Sequence, residues 1–149
     1  MSNSDEIISQ VASLAESGVD RDQLLRGAVT VLKEGIPYYN WVGIYLLEGN
    51  FLSLHNFIGK PTEHTRIQVG LGVCGAAVAD RENKIVADVL EIENYLACSV
   101  ETRAEIVVLI RRGDLILGQI DIDSDQANAF TAKDETLLTR VAEILATKF

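Results

Sequence analysis

Two β-hairpins can be read directly from the chain, and helical periodicity brackets them at both ends. Trp41 to Glu48 is rich in β-formers, Gly49-Asn50 is a turn signal, and Phe51 to Phe57 follows with partial alternation. Glu105–Ile110 and Leu115–Ile122 form the second hairpin around Gly113-Asp114. Arg112-Gly113-Asp114 is therefore read as a turn and not as an adhesion tripeptide. Before the hairpins, Ile7, Val11 and Leu14 recur at helical spacing over 5–17, with Ser4 as the expected cap and Gly18 as the stop. Leu24, Ala28 and Leu32 mark a second helix over 21–34, ended by Gly35 and Pro37. After them, Thr131 and Asp134 form a capping box for a helix over 132–147 with Leu137, Val141 and Leu145 inward. The middle reads as strand and loop over 62–75, a short helix Ala76–Arg81 and a strand Ile85–Val89. Hairpin-linked strands with helices gathered at both ends predict an antiparallel sheet with helices on one face, an α+β fold. One domain over 1–149 is expected, since domains run to roughly 100–200 residues.

Charge narrows the partners. The chain has 149 residues, with 13 Lys and Arg against 22 Asp and Glu, a formal charge of −9. Nucleic-acid affinity comes from basic residues neutralising phosphates, and Arg111-Arg112 is the only adjacent basic pair. No apolar run approaches the roughly 20 residues that span a bilayer. The start, Met1-Ser2-Asn3-Ser4-Asp5-Glu6, lacks the basic opening of a signal peptide. These features predict a cytoplasmic protein with neither a nucleic-acid nor a membrane partner. Two cysteines, Cys74 and Cys98, make no disulfide framework, and no metal-ligand spacing accompanies them. No structural metal and no cofactor are expected.

Several residues are candidates for chemistry. Gly70-Leu71-Gly72-Val73-Cys74-Gly75 has the spacing of a dinucleotide fingerprint but lacks its strand context. It reads as a loop whose N–H groups bind a polar ligand or stabilise a Cys74 thiolate. Cys98 is either a buried structural thiol or a reactive one, with Arg103 near enough in sequence to lower its pKa. Asp121 and Asp123 share one strand face, and Glu105 opens the partner strand. The three together would make an acidic cluster suited to an ammonium group, a metal, or hydrogen bonding to a polar oxygen by a protonated carboxyl. A solvated strand end is the plainer alternative. Trp41 and Tyr45 also share a face, as core residues or as the apolar wall of a cleft.

Taken in order, Trp41-Val42-Gly43-Ile44-Tyr45, Gly59-Lys60-Pro61, Thr65-Arg66-Ile67, Gly70 to Gly75, Ala97-Cys98, Glu105-Ile106-Val107-Val108 and Asp121-Ile122-Asp123-Ser124 resemble the free methionine-(R)-sulfoxide reductases. These are proteins made of one GAF domain. The resemblance spans nearly the whole chain, including the separation of 24 residues between Cys74 and Cys98. It implies a GAF fold, an antiparallel sheet flanked by N- and C-terminal helices, usually as a homodimer. It implies free methionine-(R)-sulfoxide as substrate and thioredoxin as reductant. Cys98 takes the position of the attacking cysteine. Glu105, Asp121 and Asp123 take those of the carboxylates that hold the sulfoxide oxygen and the substrate amine. Trp41 and Tyr45 take those of the wall around the S-methyl group.

Departures from the family pattern bear on recycling. Many members carry a third cysteine where this chain has His64, which leaves Cys74 or an external thiol to resolve oxidised Cys98. Ser99 stands where an acid is common, Ala104 where serine is common and Leu109 where proline is common. The expected activity is thiol-dependent reduction of the free sulfoxide through a cysteine sulfenic acid and a disulfide. The alternative is a GAF domain that binds a small-molecule signal without turnover. Sensor GAF domains are usually joined to an output domain, and the expectation of a lone domain favours the enzyme.

Overall fold

The computed structural model describes residues 3–91 and 101–149. Two amphipathic helices open the chain, α1 (Asn3–Glu16) and α2 (Arg21–Gly35). Ser4, expected as a cap, lies inside the first turn of α1. A reciprocal capping box starts α2: the Gln23 N–H donates to the Asp20 carboxylate at 2.8 Å, and the Asp20 N–H donates to the Gln23 side chain at 3.1 Å.

The first hairpin is β1 (Trp41–Glu48) and β2 (Phe51–Ile58), and the short β3 (Arg66–Gln68) pairs with β2. Helix α3 (Gly72–Asp80) and strand β4 (Lys84–Val86) follow. The second hairpin is β5 (Ala104–Arg112) and β6 (Leu115–Ser124), and α4 (Ala132–Ala146) closes the described chain. The sheet has six strands in the order β3-β2-β1-β6-β5-β4, every neighbouring pair antiparallel. The two hairpins meet along β1 and β6 at its centre. The chain thus has the expected α+β architecture, an antiparallel sheet flanked by N- and C-terminal helices.

Strand alternation sorts the sheet into two faces. Val42 and Ile44, Ala104, Ile106, Val108 and Ile110, and Ile120 and Ile122 point to one face, where α1, α2 and α4 cover them. Burying each of the valine and isoleucine side chains among them is worth about 1.5–3 kcal/mol. The opposite face carries Trp41, Tyr45, Val107 and Leu109, and α3 packs over it with Val73, Cys74, Ala77 and Val78. The helices therefore do not all share one face, because α3 covers the other.

The middle of the chain departs from its expected boundaries. Helix α3 begins at Gly72, not Ala76, so four of the six residues of the glycine-rich segment are helix and Cys74 sits in its first turn. Gly70 and Gly72 have φ of +96° and +65°, values that favour glycine and turn the chain out of β3. The Gly70 N–H then donates to the Gly75 carbonyl at 2.8 Å. A Cβ on Gly75 would stand 2.5 Å from the Gln68 carbonyl oxygen, so only glycine allows this crossing. Strand β4 stops at Val86, and Val89–Glu91 form a single 3-10 turn instead of extending it. Among the described residues no helix is long and apolar enough to cross a membrane.

Candidate active site

Register builds the site. Across β1 and β6, Trp41 pairs with Asp123, Gly43 with Asp121 and Tyr45 with Gln119. Across β5 and β6, Glu105 pairs with Asp123, Val107 with Asp121 and Leu109 with Gln119. Residues two apart share a face, so Trp41, Tyr45, Glu105, Gln119, Asp121 and Asp123 all face α3. The three acids are not a solvated strand end: Glu105 is 3% exposed, and Asp121 and Asp123 are 1% exposed.

Helix α3 brings Cys74 onto this surface. Its Sγ lies 3.8 Å from Glu105 Oε2. Tyr45, His64, Cys74, Glu105 and Asp121 line a cavity of about 10 Å³, room for one water molecule. Tyr45 donates its hydroxyl to the His64 carbonyl at 2.7 Å, which ties β1 to the segment before β3. Asp121 Oδ1 is buried with no hydrogen-bond partner among the described residues.

Burial dominates the electrostatics. It pushes the Glu105 carboxyl well above the usual carboxylate range, and the charges of Asp121 and Asp123 push it further. Burial also raises Asp121, opposed by hydrogen bonds from Glu105 and Cys74. The Cys74 thiol is raised well above its ordinary value by burial first, then by Asp121 and Glu105. The glycine-rich N–H groups therefore do not make Cys74 a ready thiolate: carboxyls surround the sulfur, and it keeps its proton. What the cluster offers is a buried acid, Glu105, whose raised pKa favours the protonated form that can donate a hydrogen bond or a proton.

Trp41 takes a neighbouring position. With Asp123, Lys60 and Thr102 it lines a second cleft of about 360 Å³. Its Nε1 donates to the Lys60 carbonyl at 3.0 Å, and its ring stacks on Phe57 with centroids 5.4 Å apart. The ring also lies over Gly43, where a Cβ would meet it at 2.4 Å. Cys98, with its neighbours Ala97 and Ser99, lies outside the described residues. Arg103, expected to act on Cys98, has its guanidinium held by Asp88 at 2.8 and 3.3 Å.

Gln119 is the residue that sequence reasoning passed over. It is fully buried on the same face, and its Nε2 donates to the Cys74 carbonyl at 3.0 Å, which fixes the start of α3 to the sheet. Its position two residues before Asp121 was the available signal. The Sγ of Cys74 and one carboxylate oxygen each of Glu105 and Asp121 lie within 4.8 Å of one another, a set able to hold a metal ion.

Comparison with known proteins places this geometry. The GAF domain family matches residues 20–149. The free methionine-R-sulfoxide reductase of Escherichia coli (strain K12) is 37% identical over 127 residues, 83% of this chain and 76% of that protein. The solved free methionine-R-sulfoxide reductase of Neisseria meningitidis, in complex with its substrate, superimposes with a TM-score of 0.91 at 34% identity, over 98% of this chain and 87% of that one. The type II free methionine-R-sulfoxide reductase of Thermoplasma acidophilum gives 0.81 at 38% identity, over 93% and 94%.

Proposed function

The chain belongs to the GAF domain family and, within it, to the free methionine-R-sulfoxide reductases, and we propose that it reduces free methionine-(R)-sulfoxide by thiol chemistry at the acidic cluster. The observation that supports this reading best is the Glu105 carboxyl, buried beside Asp121 with its pKa pushed above the usual carboxylate range by that burial. A sulfoxide sulfur is a poor electrophile until its oxygen accepts a proton or a strong hydrogen bond. A carboxyl that stays neutral at pH 7 can supply either.

In this reading Glu105 and Asp121 hold the sulfoxide oxygen, and Asp123 takes the substrate amine. Trp41 and Tyr45 wall the S-methyl group. The Cys98 thiolate attacks the sulfoxide sulfur. The sulfur–oxygen bond breaks, the oxygen ends on Cys98 as a sulfenic acid, and methionine leaves carrying the two electrons given up by Cys98. Cys74 then attacks the sulfenic acid, forming a Cys74–Cys98 disulfide and releasing the oxygen as water. The two thiols of thioredoxin reopen the disulfide and become oxidised in turn. The working unit in this scheme is a homodimer in the cytoplasm.

Turnover coupled to thioredoxin, run with free methionine-(R)-sulfoxide, its S epimer and a peptide-bound form, tests the reading. Activity confined to the free R form is expected, and its loss in Cys98→Ser. Equal rates on peptide-bound sulfoxide would overturn the substrate assignment. One equivalent of sulfoxide should consume two thiols per methionine formed. Mass spectrometry that finds Cys98 as a sulfenic acid while Cys74 stays reduced would remove Cys74 from the recycling scheme.

A further inference from the structure

We propose that the pocket formed by Cys74, Glu105 and Asp121 also binds a zinc-type divalent cation, one ion per chain, in competition with substrate. The competition rests on the reductase reading above; the binding does not.

The donor set selects the ion. One sulfur and two carboxylates suit borderline-soft zinc, whereas calcium and magnesium take six or more oxygens. Zinc sits about 2.3 Å from sulfur and about 2.0–2.2 Å from carboxylate oxygen, so tetrahedral coordination separates such a pair by about 3.6 Å. Cys74 Sγ and Glu105 Oε2 already stand 3.8 Å apart. All three donor atoms lie within 4.8 Å of one another. The cavity these donors line has room for about one water, space that the ion itself would fill.

A second observation points to a ligand independently of this grouping. Asp121 is 1% exposed and lines the cavity, yet its Oδ1 has no hydrogen-bond partner among the described residues. A buried carboxylate oxygen without a donor is costly, and a bound cation satisfies it. Zinc takes the sulfur as thiolate and the acids as carboxylates, so the Cys74 proton and the proton on Glu105 both leave as the ion enters.

Cobalt(II) is the probe, because it takes zinc sites and reports on sulfur through a thiolate-to-metal charge-transfer band. Titrating the reduced full chain should give a band that saturates at one equivalent. The band should persist in Cys98→Ser, disappear in Cys74→Ser and be displaced by zinc. Asp121→Asn should weaken cobalt binding by about tenfold or more, with melting curves confirming that each variant is folded. In wild-type turnover, zinc should raise KM for the sulfoxide. A band that survives Cys74→Ser, an unchanged affinity in Asp121→Asn, or no saturable band overturns the site. If the band behaves as stated but no sulfoxide is reduced, the functional reading fails and the metal site stands. Turnover without a saturable band gives the reverse.

Discussion

The Gln119 side chain reaches from β6 to donate its amide to the Cys74 carbonyl at 3.0 Å, and this one bond couples the sheet to the start of α3. Gln119 is fully buried and flanked on its own strand face by Asp121. Gln119→Glu keeps the shape and removes the donor, leaving a carboxylate against a carbonyl. At pH 7 a destabilisation of about 2 kcal/mol or more is expected. The introduced carboxyl has its pKa raised by burial, so the loss applies above the unfolded value of about 4.3 and fades below it, where the protonated group donates again. Urea denaturation at pH 4 and pH 7 checks this. An equal loss at both values would show that the hydrogen bond is not the cause.

Replacing Glu105 or Asp121 should separate stability from catalysis. Both carboxyls are raised by burial, from ordinary values of 4.5 and 3.8. A raised folded pKa contributes stability that is fully present below the unfolded pKa and is lost as pH rises toward the folded one. For Glu105, each step in pH above the unfolded value of 4.5 at which the folded carboxyl still holds its proton costs the fold stability. Glu105→Gln should therefore raise Tm at pH 7, with little gain at pH 4, while kcat/KM falls by at least about a hundredfold. A Tm that drops at pH 7 with unchanged kinetics would mark the cluster as structural.

Cys74 should be a slow thiol. It is buried in the first turn of α3, and its pKa is raised by burial and by the acids around it. Iodoacetamide should label it at least about a hundredfold more slowly in the native protein than in urea, as measured by peptide mass spectrometry. In the recycling scheme proposed above, the burial of Cys74 should make disulfide formation lag behind the first release of methionine. Native labelling as fast as in urea would refute the buried geometry.

Asp134 is a structural hub away from the site. Tyr38 and Tyr39 both donate to its Oδ1 at 2.7 Å, and the Thr131 N–H donates to its Oδ2 at 2.9 Å. Asp134→Ala removes one half of the α4 capping box, leaving the Thr131 N–H without its acceptor, and strands the buried Tyr39 hydroxyl, for a loss of about 3 kcal/mol. Sulfoxide turnover per folded molecule should stay within about twofold, since Asp134 touches no residue of the acidic cluster among the described residues. A larger kinetic effect would tie α4 to the site.

Gly43→Ala reports on Trp41, the only tryptophan of the chain. A Cβ there meets the indole ring at 2.4 Å and Phe57 Cβ at 3.3 Å, so the ring must move. A destabilisation of about 1–3 kcal/mol is expected, with a red-shifted emission and a raised KM. Unchanged emission would show that Trp41 does not rest on Gly43.

Alternation along single strands is a local property, and it was enough to put Asp121 with Asp123 and Trp41 with Tyr45 on shared faces. Capping chemistry was equally local, and the Thr131–Asp134 box starts α4 where the residues predict. The ordered set of short motifs carried the family. Which faces meet is not local. Only the pairing of Glu105 with Asp123 and of Gly43 with Asp121 gathers the acids around one point and lets Trp41 lie over a glycine. The segment Gly70 to Gly75 misled for the same reason. Glycines in sequence signal a flexible loop, yet Gly75 is there because α3 crosses the Gln68 carbonyl too closely for any side chain. Burial completed the reversal. An aspartate or glutamate reads as charged until tertiary packing removes water from it, and it is the covering of this sheet face by α3 that raises the Glu105 carboxyl and keeps Cys74 a thiol.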